Sequence, residues 1–391
     1  MADQHGKNLE IEALRGISVL MVIVYHSGNL LFWSDKVEKS QLALWGGVDI
    51  FFAISGFVIT RAFAARLRNA WVAGNFGREA GAFFIRRIFR IIPSAWLWML
   101  VMLALSISFN STGVFTTPAA NISDFIAVAL NISNIHFARC LNQTDGALLC
   151  GNNGIYWTLS LEEQFYLLFP LIVLLRPKWV VAISASWLVC MQAALIMMNF
   201  RAPFLYLIRA DAVLLGVCIA YFSVTRMHRE IEPKWLRKTG LAMIAAPALI
   251  AGVAFSSFGV APIGQPELRP YTMMVSVIGA LAVWVASYDR GYFFPANKLR
   301  VALAYIGARS FAIYLIHNPV YWATRELWAR LLPGTHFDHR YSALFIATAV
   351  LLIWLLSELN YRFIEMPLRD LGSHLARRLS RSGSSAIGAS G

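Results

Sequence analysis

Arg15 and His26 stand eleven positions apart inside the first apolar stretch of the chain. At about 100° per residue, eleven positions make three turns plus roughly 20°, so a helix carries both side chains on one face. Along the axis they lie about 16 Å apart, roughly half a bilayer core. Ionisable groups at that depth are expensive and mark a functional site by default. An imidazole there can accept and return a proton near neutral pH. The competing reading is a histidine hydrogen-bonded between packed helices, and the arginine on its face counts against it.

Further groups follow along the chain. Asp49 is the acid of Gly46-Gly47-Val48-Asp49-Ile50-Phe51-Phe52, where the glycines allow close helix approach. It reads equally as a structural partner or as a substrate contact. Arg86, Arg87 and Arg90 fall within one helical turn before Pro93. Paired guanidinium groups grip phosphate in a bidentate way, although spacing alone favours an ordinary lipid-headgroup anchor. In Trp157-Thr158-Leu159-Ser160-Leu161-Glu162-Glu163-Gln164-Phe165-Tyr166 two adjacent carboxylates point about 100° apart, so one faces the interior. Trp157 and Tyr166 fit an interfacial aromatic belt or a sugar-stacking surface, the belt first. Arg209 and Asp211 read as partners of polar groups on neighbouring helices. His317 precedes a kinking Pro319 and reads equally as an acceptor contact or a packing donor. Glu365 reads as a local salt-bridge partner.

The elements that must position these groups are apolar helices. Of 391 residues, 58% are hydrophobic and 14% charged, well below the roughly 25% charged of soluble domains. The expected fold is all-α, a polytopic integral membrane protein with about ten transmembrane helices. Their limits are near 14–33, 46–65, 92–108, 157–175, 179–199, 205–222, 240–258, 271–288, 303–323 and 342–362. With both termini cytoplasmic, about 23 Lys and Arg fall in the inner connections and 8 in the outer ones. The net charge of +13 is thereby explained by insertion rather than by nucleic acid. The polar start, Met1 to Glu12, has no basic run and no small-residue cleavage site, so the first span is expected to be retained. Residues 1–371 form the membrane domain. Residues 372–391, basic and then Ser/Gly-rich, are expected to be a disordered cytoplasmic tail. Cys140 and Cys150 share a polar outer loop of about 109–156 and are candidates for a disulfide. Cys190 and Cys218 fall within spans as apolar packing groups. No Cys/His spacing resembles a zinc site.

Taken in order, these segments resemble membrane-bound acyltransferase family 3, which includes O-antigen and exopolysaccharide O-acetyltransferases. The matches are Leu14-Arg15-Gly16 through His26, Gly47 to Phe52 with Ser55-Gly56-Phe57, and Arg87 to Arg90 before Pro93. Trp157 to Tyr166, Arg209 to Gly216 and Tyr314 to Pro319 follow. Thr158 stands where Ser is usual, and the 109–156 loop is long. Many members carry a fused extracytoplasmic hydrolase-like domain, whereas this sequence stops after the tenth expected span.

The resemblance implies transfer of an acyl group, usually acetyl, from cytoplasmic acetyl-CoA to a hydroxyl of an extracytoplasmic or lipid-linked glycan. No metal is implied. It makes His26 and Arg15 essential, Arg87 and Arg90 (with Arg86) the coenzyme A phosphate contacts, and Glu162 the more characteristic of the two acids. On that reading the pantetheine arm extends past Arg15. His26 then takes the acceptor proton or carries the acyl group itself. Glu162, His317, Asp49, Trp157 and Tyr166 position the acceptor. The expected partners are a glycan or lipid-linked saccharide and membrane lipids, with homo-oligomerisation left open. The expected location is a bacterial inner membrane. The competing class is a proton-coupled secondary transporter or glycan exporter, against which stands the lack of a visible internal repeat.

Overall fold

The computed structural model describes residues 8–34, 42–142, 149–197, 207, 209–238, 241–256, 271–293 and 297–381. Among them all regular structure is helical. In chain order the main helices are α1 (Leu9–Tyr25), α2 (Gly47–Val72), α3 (Phe76–Ser108), α4 (Pro118–Ala129), α5 (Ser133–Asn142) and α6 (Trp157–Leu174). They continue as α7 (Pro177–Met197), α8 (Asp211–Phe222), α9 (Ala242–Phe255), α10 (Tyr271–Ala286) and α11 (Lys298–Ala308). The last are α12 (Ser310–Leu331), α13 (Ser342–Asn360) and α14 (Met366–Arg381).

Among the described residues, three helical stretches are long and apolar enough to cross a membrane: Leu44–Val72, Phe76–Ser108 and His339–Ser380. A fourth is counted if α11 and α12, bent by 70° at their junction, make one span. Asp211–Phe222 and Thr272–Ala286 are shorter apolar helices. The expected spans at 179–199, 205–222 and 240–258 reach into residues outside the described set, and Lys36, Lys39, Arg201 and Arg269 of the expected outer connections lie outside it.

Two compact units divide the chain. The first comprises Met1–Val58, Pro177–Tyr314 and Phe337–Ser342. Its α1 begins earlier than the apolar pattern suggests, because the Asn8 side chain caps the helix by accepting from the Ile11 amide. Buried Glu10 then accepts from the Phe293 amide at 2.7 Å, pinning that end to the turn after α10. α1 lies along α11 with reciprocal glycines at the crossing. A Cβ on Gly16 would sit 2.2 Å from the Leu303 carbonyl oxygen, and one on Gly307 would sit 1.8 Å from that of Glu12. Gly56 of α2 and Gly216 of α8 repeat the device, at 2.0 Å from the Val213 oxygen and 2.1 Å from the Ala53 oxygen. Backbones in such contact are the small-residue crossings of membrane helices. Cys190, expected to pack, is exposed on α7, and Cys218 is half-buried.

The second unit comprises Ile59–Arg176, Leu315–His336 and Ala343–Gly391. α2 ends at Gly74, whose φ of 73° closes the helix in the left-handed region. α3 then runs unbroken through Pro93 to Ser108. The expected third span at 92–108 is therefore only the second half of a longer helix, and Arg86, Arg87 and Arg90 ride on its first half. The loop expected at 109–156 contains α4 and α5. Thr117 caps α4 ahead of Pro118, a start signal legible in the sequence. Cys140 and Cys150 are joined in a disulfide. Beside them Asp124 accepts from His136, from the Gly151 and Asn153 amides and from the Asn153 side chain. Asn360, buried on α13, accepts from Trp98 and donates to Ser94 and Glu365. Residues 366–381, part of which was expected to be tail, form α14; residues 382–391 lie outside the described set.

Candidate active site

His26 does not continue α1 as the span 14–33 implied. It follows the last α-helical residue, Tyr25, and opens a 3-10 turn over His26–Asn29. Ser27, Gly28 and Asn29 are weak helix formers, which accounts for the early stop. The imidazole Nδ1 lies 3.0 Å from the Val22 carbonyl oxygen. A carbonyl only accepts, so Nδ1 carries the hydrogen and, in the neutral ring, the lone pair resides on Nε2. Nε2 is thus the atom able to take a proton or an acyl group. Arg15 lies in the same unit, half-buried and paired with Glu12 at 3.1 Å on its own helix.

Asp49 is fully buried in the first turn of α2 and forms an ion pair with Arg209. The guanidinium also stacks 4.7 Å from the centre of the Trp45 ring. Ser276 of α10 reaches the Asp49 carboxylate at 3.1 Å and that of Asp211, which opens α8. Its single hydroxyl hydrogen serves one of them at a time. Helices α2, α8 and α10 of the first unit are thus tied through a buried polar cluster, and a structural role accounts for every contact Asp49 makes there. Ser276 was not singled out from the sequence. The available signal was a lone hydroxyl within an otherwise apolar run.

In the second unit α3 and α6 bring Arg87, Glu162 and Tyr166 together. The Arg87 guanidinium lies 5.6 Å from the Phe63 ring, 5.9 Å from Phe83 and 5.6 Å from Tyr166. Each such contact contributes roughly 0.5–2 kcal/mol. Tyr166 is buried and donates its hydroxyl hydrogen to Glu162. Arg90 interacts electrostatically with both Arg87 and Tyr166. The Nε–H of Arg87 is buried without a hydrogen-bond partner among the described residues. A framed guanidinium with an unused donor suits a phosphate or diphosphate ligand, so these residues fit the donor that the sequence reading expects.

Arg86 shares the Phe63 ring, 5.8 Å from its guanidinium, and donates to the Ala82 carbonyl at 3.2 Å. Its charged neighbours are Arg66, Glu79 and Arg377. Glu163 lines a cavity of about 20 Å³ with Ile92, Trp96, Asn131 and Ser160. Trp157 and Tyr166 are buried, so neither forms a lipid-facing belt. The exposed positions of α6 are Leu167, Leu168 and Leu171. His317 is fully buried in α12, its ring edge-on to Tyr321 at 5.9 Å. Another buried acid, Glu326, escaped the sequence reading; it accepts from Ser111, Thr112 and Arg330 and fastens the turn after α3.

Residues 8–359 match the family described as acyltransferase domain. The peptidoglycan O-acetyltransferase OatA of Listeria monocytogenes is 26% identical over 380 residues, which cover 93% of this chain and 56% of that protein. The O-acetyltransferase OatA of Staphylococcus aureus is 23% identical over 383 residues, covering 93% of this chain and 57% of that one. The chain spans about half the length of the curated relatives it matches. No solved structure matches it.

Proposed function

The chain belongs to the acyltransferase-domain family, and from that premise we propose that it is a membrane O-acyltransferase. It moves an acetyl group from cytoplasmic acetyl-CoA to a hydroxyl of an extracytoplasmic or lipid-linked glycan. The observation that carries this reading is the family match across residues 8–359. The relatives' names place peptidoglycan first among the acceptors to test. About ten spans with both termini cytoplasmic, in a bacterial plasma membrane, suit a donor and an acceptor on opposite sides.

In this reading Arg87 and Arg90 hold the donor's phosphates. His26 Nε2 takes the proton of the acceptor hydroxyl as its oxygen attacks the thioester carbon. The carbon–sulfur bond then breaks, and the coenzyme thiolate recovers the proton. Alternatively Nε2 attacks first, and an acyl-imidazole is passed on to the hydroxyl. Nδ1, engaged by the Val22 carbonyl, fixes the tautomer in either route. Glu162, held by Tyr166, and Arg15 position the reacting groups.

The test is release of free coenzyme A from acetyl-CoA by inverted vesicles, with the glycan ester followed by mass spectrometry. The native chain is expected to release thiol in step with ester formation, and His26→Ala to insert normally and release none. Normal turnover in His26→Ala removes the histidine from the reaction. Glycan flux without any acyl donor replaces the enzyme by an exporter.

A further inference from the structure

Glu163 has no part in the reading above, although it directly follows Glu162. The two acids fall into different surroundings. Glu162 accepts from Tyr166, one turn further along α6, whose ring lies 5.6 Å from the Arg87 guanidinium on the first half of α3. Glu163 lines the cavity of about 20 Å³, which it shares with Trp96 on the second half of α3, Asn131 after α4 and Ser160 one turn earlier on α6. In the expected topology α4 and Asn131 belong to the outer loop. The cavity therefore lies toward the outer end of this unit, and Arg87 toward its inner end.

The polar groups of the cavity are fixed but incompletely used. The buried Ser160 hydroxyl accepts from the Ser133 amide at 3.0 Å, and its own hydrogen has no acceptor among the described residues. The half-buried Glu163 carboxylate and the Asn131 side-chain amide make no hydrogen bond among the described residues. Asn131 itself is held firmly. Its φ of 59° places it in the left-handed region, which asparagine tolerates better than most residues. Gln164 donates to its carbonyl oxygen at 2.9 Å while exchanging hydrogen bonds with Asn134.

A carboxylate removed from water without a donor is costly. A space of this size takes one water or one hydroxyl group. A ligand hydroxyl there donates to Glu163 and accepts from Ser160, so one O–H satisfies both. The negative charge of Glu163 disfavours a phosphate. Trp96, one wall of the cavity, is 41% exposed, so the cavity reaches the surface. A sugar ring whose hydroxyl enters would lie against that indole, the mixture of aromatic wall and few polar groups that small-molecule sites use.

We propose that this cavity is an acceptor subsite, in which the Glu163 carboxylate and the Ser160 hydroxyl hold one hydroxyl of the acceptor sugar beside Trp96. Both are positioning residues. The subsite rests on the acyl-transfer reading above and adds to it a division of labour between adjacent acids, with Glu163 serving the acceptor.

The purified full chain in nanodiscs is supplied with acetyl-CoA and a soluble amino-sugar tetrasaccharide cut from peptidoglycan, and initial rates are measured as each substrate is varied. Glu163→Gln is expected to raise the Michaelis constant for the saccharide about tenfold, the difference between a hydrogen bond to a charged group and one to a neutral group. The constant for acetyl-CoA should stay within about twofold. Ser160→Ala should raise the saccharide constant severalfold, whereas Arg87→Gln should shift that of acetyl-CoA instead. A loss of folded protein lowers turnover without separating the two constants, and should one cavity variant fail to fold, the other decides. An unchanged saccharide constant overturns the subsite and leaves the cavity to a trapped water. Equal rises for both substrates overturn it as well. If the native chain releases no coenzyme A with this saccharide, the acyl-transfer reading fails for it, and the subsite is judged by calorimetry with the same tetrasaccharide. Binding by the native chain that weakens about tenfold in Glu163→Gln keeps the subsite, and equal binding or none overturns it.

Discussion

Tyr166 donates its hydroxyl hydrogen to Glu162, one turn earlier on α6, while its ring lies 5.6 Å from the Arg87 guanidinium of α3. One side chain thereby links the acid singled out from the sequence to the arginine singled out from the sequence. Its two ends do different work, so two substitutions separate them.

Tyr166→Phe removes the hydroxyl and keeps the ring. A hydrogen bond to a charged group contributes about 1.5–3 kcal/mol, so turnover is expected to fall roughly ten- to a hundredfold if Glu162 must be held during the reaction. The Michaelis constant for acetyl-CoA should stay within about twofold, because the face under Arg87 is retained. Tyr166→Ala should raise it as well. Steady-state kinetics on the purified chain check both. A Michaelis constant that rises in Tyr166→Phe with turnover unchanged would assign the hydroxyl to donor binding instead.

The buried pair Arg209–Asp49 yields a stability prediction. Arg209→Leu leaves Asp49 and Asp211 enclosed without their cation, and removing one partner of a buried pair costs about 3–5 kcal/mol. A large fall in thermal midpoint in detergent is expected. Adding Asp49→Leu should recover part of it, since an apolar replacement of both partners is often near neutral. Unchanged unfolding of Arg209→Leu would remove this cluster from the account of stability.

Glycines at the crossings and in the turns should respond in opposite ways. A Cβ on Gly56 meets the Val213 carbonyl at 2.0 Å, whereas one on Gly28 meets nothing within 4 Å. Gly56→Leu is expected to cost upwards of about 1–3 kcal/mol by overpacking and to lower the yield of folded protein, while Gly28→Ala should be tolerated. Size-exclusion profiles of the two variants decide this. Equal behaviour would mean that α2 and α8 separate more easily than their backbone contact implies.

Asp124 and the Cys140–Cys150 disulfide stabilise the same loop by different means. Replacing both cysteines by serine is expected to cost about 2–4 kcal/mol. Asp124→Ala leaves donors of His136, Gly151 and Asn153 without their acceptor, at about 1–3 kcal/mol for each that stays buried. Limited proteolysis should show faster cleavage within 130–156 in both variants. Resistance equal to that of the native chain would show the loop to be held elsewhere.

Local patterns in the sequence were enough for the helical class, for the apolar segments and for the placement of Arg86, Arg87 and Arg90 on one helix. Helical period, capping and glycine spacing all act within a few residues, so they are written where they operate. Even there the reading slipped at ends. Asn8 starts α1 early, and the Ser27-Gly28-Asn29 run ends it at Tyr25, which moves His26 from mid-helix to a helix terminus.

What only the tertiary structure decided are the pairings. Asp49 meets Arg209 across 160 positions and Ser276 across 227. α14 packs on α3 through Gly372 against Phe89 and Gly81 against Leu379. A charge in a sequence declares its sign and its helix face. Its partner depends on which distant helix crosses there and in what register, and side-chain packing along the whole interface sets that register.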